Sequence, residues 1–143
     1  VIAGGLDERA AIASYHNQGR VLAFKLGATG VMPENQKRDR TFPPPPALET
    51  TPAEIAAGKT LYSQYCIWCH GFSVASSLLV PDLRIMSPER HAAFEDIVLN
   101  GALRGNGMPA WSDTLTKADL APLHAYIVDE ARKAYEKQQA PKN

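Results

Sequence analysis

Cys66-Ile67-Trp68-Cys69-His70 sets two thiols three positions apart and follows the second at once with an imidazole. That order is the attachment pattern of a c-type haem, in which both sulfurs add covalently to the porphyrin and the histidine ligates iron. The spacing has a physical reason: linkage at Cys66 and Cys69 pins one edge of the ring, and His70 is then delivered to the iron as proximal ligand. Two other uses of such a pair fit less well. A structural zinc site needs two further close Cys or His ligands, but the chain has two cysteines in all, and His16, His91 and His124 are scattered. A dithiol redox centre follows a strand inside a parallel sheet, whereas the residues before Cys66 recur at helical spacing.

Outward from the motif the pattern is helical. Thr51-Pro52-Ala53-Glu54 opens a helix, with Thr51 as cap, Pro52 in the first turn and Glu54 three residues after the cap. Ile55, Gly58, Leu61, Tyr62 and Tyr65 carry that helix to Cys66. Ser87-Pro88-Glu89 opens a second, bearing Phe94, Ile97 and Val98 and ending near Asn100-Gly101. Thr116-Lys117-Ala118-Asp119 opens a long third, with Leu120, Leu123, Ile127 and Ala131 on one face. The polar end from Glu136 to Asn143 is expected to fray. The fold class is therefore all-α, with the globular domain over residues 52–138 and a tail at 139–143.

Ahead of the domain, Gly27, Gly30, Pro33 and the charged run Lys37-Arg38-Asp39-Arg40 lead into Pro43-Pro44-Pro45-Pro46. Residues 27–51 read as a linker whose polyproline end rises about 3.1 Å per residue, either holding its neighbours apart or lying along a surface. Ala13-Ser14-Tyr15 and Arg20 to Leu26 flank His16-Asn17-Gln18-Gly19 as two short strands and a turn, a β-hairpin arm over residues 1–26. A lone hairpin is marginal in water, so this one needs a sheet to join or a surface to lie on. A loose N-terminal arm is the alternative.

The 143 residues leave room for one domain and a tail. With 45% hydrophobic and 21% charged residues the composition is that of an ordinary globular protein. No apolar run approaches the roughly 20 residues that span a bilayer, so a soluble chain without a membrane span is expected. Lys plus Arg equals Asp plus Glu at 15 each, which gives no reason to expect nucleic acid or an anionic membrane as partner. No signal peptide is visible and the first residue is Val1, as expected of a mature, processed or excised piece.

A haem with one histidine ligand can take methionine on its far side, a pairing that raises the potential and suits electron transfer. Met86 follows His70 closely for a chain that must round the haem edge, and Met32 lies in the linker. Met108 sits in Arg104-Gly105-Asn106-Gly107-Met108-Pro109-Ala110-Trp111, an irregular loop between two helices that can bring a thioether to iron. It is the favoured ligand.

Gly58, Tyr62, the Cys66 to His70 motif, the Gly-Asn-Gly-Met-Pro loop, and Leu123 with Tyr126 together resemble a class I cytochrome c domain. The resemblance implies that the first and last helices cross beside the haem at Gly58, with Tyr62 and Tyr126 packed around the crossing. It also gives Pro81 a role, its carbonyl accepting the imidazole N–H of His70 and enriching the ligand. Attachment of such a haem takes place outside the cytoplasm, so a periplasmic location follows.

A longer likeness covers nearly the whole chain. Gly-Arg-Val-Leu-Ala-Phe-Lys-Leu at 19–26, the proline linker, Pro-Asp-Leu-Arg at 81–84 and Asn-Gly-Met-Pro at 106–109 resemble the carboxy-terminal end of quinohaemoprotein alcohol dehydrogenases. Those enzymes carry pyrroloquinoline quinone (PQQ) in an eight-bladed propeller fused to a cytochrome c domain. On this likeness residues 1–26 correspond to the last propeller strands. A blade needs roughly 40 residues, so propeller and PQQ would belong to a partner domain and this chain alone would not oxidise an alcohol. The same likeness makes Arg84 a candidate partner for a haem propionate, with a plain surface arginine as the alternative. Trp111 would wall the haem pocket, and Trp68 would sit near the haem edge or face a partner. His91 and His124 are read as surface or helix residues.

The function expected is one-electron transfer through haem c, accepting from a quinoprotein dehydrogenase domain and passing to a further acceptor. A free-standing diffusible periplasmic cytochrome is the alternative. A peroxidase would need an open iron position, which Met108 argues against.

Overall fold

Thr51 is extended (φ −94°, ψ 153°), and its hydroxyl accepts from the Glu54 N–H at 3.2 Å. The Glu54 carboxylate accepts in return from the Thr51 N–H at 2.8 Å. With Pro52 at the first helical position, where no N–H is required, this reciprocal cap fixes the start of helix α1 (Pro52–Tyr65). In the computed structural model residues 24–27, 29–31, 34, 41–75 and 80–141 are described, so the expected hairpin over residues 1–26 lies almost wholly outside them, as do His16 and Met32. No strand occurs among the described residues, and the helical class is as expected.

After Cys66 the chain turns directly into the short helix α2 (Ile67–His70). The second expected helix forms in two pieces. Helix α3 (Pro88–Ala92) ends as Ala93 leaves helical geometry (φ −87°, ψ 11°), and the chain resumes through a π turn at Asp96–Asn100. Three consecutive side chains of that turn, Ile97, Val98 and Leu99, are buried. Gly101 stops it at φ 73°, where a Cβ would also come within 2.9 Å of the Ala110 Cβ.

Helix α4 (Lys117–Gln139) opens on Thr116, whose N–H and hydroxyl both donate to the Asp119 carboxylate, at 2.8 and 2.6 Å. It is longer than expected, the polar residues Glu136 to Gln139 remaining helical. Its buried face, Leu120, Leu123, Ala125, Tyr126, Ile127, Val128 and Ala131, packs on α1. The crossing lies at Gly58. A Cβ there would fall 1.8 Å from the Pro122 carbonyl oxygen and 2.9 Å from the Tyr126 Cβ, so only glycine permits the approach. Tyr62 and Tyr126 close around it with ring centroids 5.3 Å apart.

The linker does not stand away from the domain. The Phe42 N–H donates to Gln138 Oε1 at 2.9 Å, and Arg132 Nη2 donates to the Leu48 carbonyl at 3.2 Å. Later strap residues thus meet earlier residues of α4, and the proline tract runs antiparallel to that helix. Of the two expected uses of the tract, it is laid along a surface.

His91 on α3 and His124 on α4 are half-buried helix residues. Nδ1 of His91 and Nε2 of His124 are 2.8 Å apart, so one proton is shared between them, and the Phe94 ring stacks on His124 at 4.4 Å. Burial, with His91 adding, pushes the His124 imidazole down to about 4.

Gly58→Ala is expected to cost about 3 kcal/mol or more, the upper end for overpacking, because the added methyl meets backbone; denaturant unfolding of the full chain checks this. For His124 the folded pKa lies below the ordinary value of 6.5. Its neutral form therefore contributes stability that is complete above pH 6.5 and is lost as pH falls towards about 4, where only the unfolded chain readily takes the proton. Thermal midpoints measured across that window should fall less steeply for His124→Gln than for the native chain.

Candidate functional site

The end of α1 delivers Cys66 by helical continuity: its N–H donates to the Tyr62 carbonyl at 2.9 Å, and the His70 N–H then donates to the Cys66 carbonyl at 2.9 Å. Cys66, Cys69 and His70 consequently share one and a half helical turns. Gly71 ends α2 at φ 75°, and its carbonyl accepts the Tyr62 hydroxyl at 2.7 Å. The Tyr62 ring is 1% exposed, so this buried bond ties the residue after His70 back to α1. Ser73 and Val74 follow at φ 52° and 62°. Left-handed backbone at a β-branched residue costs roughly 1–2 kcal/mol, and Val74 accepts it while fully buried in the core.

Both cysteines are free, Cys66 half-buried and Cys69 exposed. Burial pushes the Cys66 thiol up to about 11, with Cys69 adding to the effect. A thiol held protonated at neutral pH is the reverse of a reactive dithiol centre. Nor do three or more His, Cys, Asp or Glu residues gather as a metal cluster among the described residues.

The Nδ1 atom of His70 is buried and has no partner that meets full hydrogen-bond geometry. Burial lowers the basicity of this imidazole, and the Pro81 backbone works against that shift, so Pro81 lies beside the ring. The expected pairing of Pro81 with His70 is thus present as proximity, short of a well-aligned bond.

Met108 is reached through a tight loop. Gly107 is left-handed at φ 93°, and the Met108 N–H donates to the Leu103 carbonyl at 3.3 Å. Trp111 anchors the loop twice: its N–H donates to the Val98 carbonyl at 2.9 Å, and its ring meets Tyr65, the residue before Cys66, at 5.8 Å between centroids. Cys66, Ile67, Leu83, Met86, Met108 and Trp111 all pack, partly buried, against the same core cluster. Trp68, between the cysteines, is 75% exposed, and Phe72 is 54% exposed.

Arg84 has an internal partner. Its Nε donates to Asp82 Oδ1 at 3.0 Å and its Nη2 to Oδ2 at 2.7 Å, while the Phe42 ring lies 4.9 Å from the guanidinium carbon. Sequence reasoning did not single out Asp82, Phe42 or the Tyr62 hydroxyl. An Asp-x-Arg pair was visible, but the ring that covers it is far away in sequence.

These groups fit a haem. Two free thiols flank a turn that ends in an imidazole, and a glycine-hinged loop brings a thioether onto the same core.

A family model described as cytochrome c oxidase, cbb3-type, subunit III matches residues 53–127. The chain belongs to that cytochrome family. This cytochrome c domain is 39% identical over 129 residues to quinohemoprotein alcohol dehydrogenase ADH-IIG of Pseudomonas putida, a match covering 90% of the chain and 17% of that protein. It is 35% identical over 125 residues to the lupanine 17-hydroxylase [cytochrome c] of a Pseudomonas species, covering 86% of the chain and 18% of the relative. The solved ADH-IIG structure superposes with a TM-score of 0.69 at 38% identity, over 78% of this chain and 16% of that one. The quinohemoprotein alcohol dehydrogenase of Comamonas testosteroni gives a TM-score of 0.58 at 26% identity, over 80% and 16%. The domain therefore spans about a sixth of the length of these relatives. It is homologous to the cytochrome c domains of quinohaemoprotein dehydrogenases, which implies electron transfer and a haem c cofactor. No helix among the described residues is long and apolar enough to cross a membrane.

Tyr62→Phe strips the buried Gly71 carbonyl of its donor and is expected to cost about 1–3 kcal/mol. Urea titration should show a lower midpoint with an unchanged slope.

Proposed function

We propose that the chain is a one-electron carrier in which Cys66 and Cys69 hold one haem c covalently and His70 and Met108 ligate its iron. The observation that carries this reading is the placement of two free thiols and the His70 imidazole within one and a half helical turns, with the Met108 loop packed on the same core. Bound there, the haem supplies a one-electron ferric/ferrous couple. The chain's own residues hold and tune it. The Pro81 carbonyl takes the His70 N–H and raises the basicity of the ring. Met108 offers a neutral thioether, which favours the reduced state and a high potential. Trp111 and Tyr65, in ring contact, keep water from that side of the site. Exposed Trp68 marks the edge at which electrons enter or leave through a small, transient interface.

The donor in this reading is a PQQ-containing quinoprotein alcohol dehydrogenase domain, with a separate redox protein as downstream acceptor, in the periplasm. Homology to quinohemoprotein alcohol dehydrogenases, of which the chain spans about a sixth, supports it. Residues 52–138 act as the cytochrome domain, 27–51 as its linker and 1–26 as an arm that joins the dehydrogenase sheet.

Spectra of the native chain and of Met108→Ala test the ligands. Haem should survive acid-acetone extraction in both. The variant should lose the near-infrared band of a methionine-to-ferric-iron bond, and its potential should fall. An unchanged spectrum in Met108→Ala assigns the distal position to another residue, and extractable haem removes the attachment at Cys66 and Cys69.

A further inference from the structure

Asp82 stands one residue after Pro81, and its carboxylate gathers three N–H donors. These are the Arg84 backbone at 3.0 Å, the Arg84 Nε at 3.0 Å and the Arg84 Nη2 at 2.7 Å. The two side chains are 12% and 18% exposed, so the pair is largely dehydrated. A dehydrated, two-pronged pair of this kind gains little net stability. What it gives is fixed geometry, here in the turn Leu83–Ile85 that follows Pro81.

A second set of contacts presses on that turn from the linker. Phe42 lies over the guanidinium carbon at 4.9 Å, while its own N–H is held by Gln138 of α4. Arg132 grips the Leu48 carbonyl further along. The strap is thus seated on α4 at both ends, and its one large aromatic side chain rests on Arg84.

The turn also adjoins the groups around His70. The Tyr62 hydroxyl, which donates to the carbonyl of Gly71, feels the charges of both Asp82 and Arg84. His70 is therefore tied to α1 through Gly71 and Tyr62, and the Pro81 backbone also acts on its imidazole. Because Nδ1 has no aligned partner while Pro81 lies beside the ring, a small movement of the turn makes or breaks that hydrogen bond.

We propose that Phe42, Asp82 and Arg84 form a clamp that seats the linker and sets the Pro81 carbonyl behind His70. They are then positioning residues for the axial imidazole, and the seating of the linker is read at the iron. This rests on the haem reading above. A hydrogen bond from the second ring nitrogen to a carbonyl enriches the ligand and favours the oxidised state, so release of the clamp raises the potential.

The test uses the full chain with haem attached, the native protein first, and variants that leave net charge unchanged. Phe42→Leu keeps apolar bulk without the ring, Arg84→Lys keeps the charge without the two-pronged bond, and Phe42→Tyr keeps the ring. Potentiometric titration is read together with the NMR exchange rate of the His70 ring N–H. Phe42→Leu and Arg84→Lys should each raise the ratio of reduced to oxidised protein about threefold at a fixed ambient potential. That is about 28 mV at 59 mV per tenfold for a one-electron couple. Both should speed the N–H exchange, and Phe42→Tyr should leave potential and exchange at native values. A lowered thermal midpoint with potential and exchange unmoved in Phe42→Leu and Arg84→Lys overturns the clamp and leaves those residues a packing role. If the native chain retains no haem, the earlier reading fails and the clamp falls with it.

Discussion

The approach of α1 to α4 at Gly58 is the constraint on which the rest of the structure depends. A hydrogen atom in place of a side chain lets the Pro122 carbonyl come where a Cβ would sit 1.8 Å away. Pro122 has no N–H of its own to complete the helix ladder, so α4 is weakened at the place where α1 supports it. From that contact the positions of Tyr62, Tyr126 and the end of α1 follow. With them follows the site, because Cys66 is the next residue after α1 and Gly71 is tied to Tyr62.

Much of this was legible in the sequence because it is local. Thr51 with Glu54, Thr116 with Asp119, and Gly101 are start and stop signals whose partners lie within a few residues, and all three act as such. The close crossing at Gly58 and the packing of Tyr62 on Tyr126 were expected from family likeness and are present in the fold. Local signals failed where tertiary packing chose the outcome. The second helix breaks at Ala93, whose φ and ψ leave the helical range ahead of the π turn at Asp96–Asn100. The last helix persists through Gln139, where Gln138 also meets the linker.

The site was legible to the same degree. Cys66, Cys69 and His70 are adjacent in sequence, and the backbone can only bring them together. Met108 and Trp111 were marked by the loop's glycines and proline, and the Tyr65 contact brings that loop to the residue before Cys66. The contacts of Arg84 were not legible from its neighbourhood in the sequence. Its environment is made by Asp82, two residues away, and by Phe42, which reaches it across a long separation in the chain. Likewise His91 and His124 lie 33 residues apart and looked unrelated until the fold set their ring nitrogens 2.8 Å from each other.

The antiparallel seating of the strap on α4 has an architectural consequence. Phe42 is bonded to Gln138, so the polypeptide enters the folded body beside the place where its final helix runs out. A module whose entry and exit share one corner can be appended to, or removed from, a larger host without rerouting either chain.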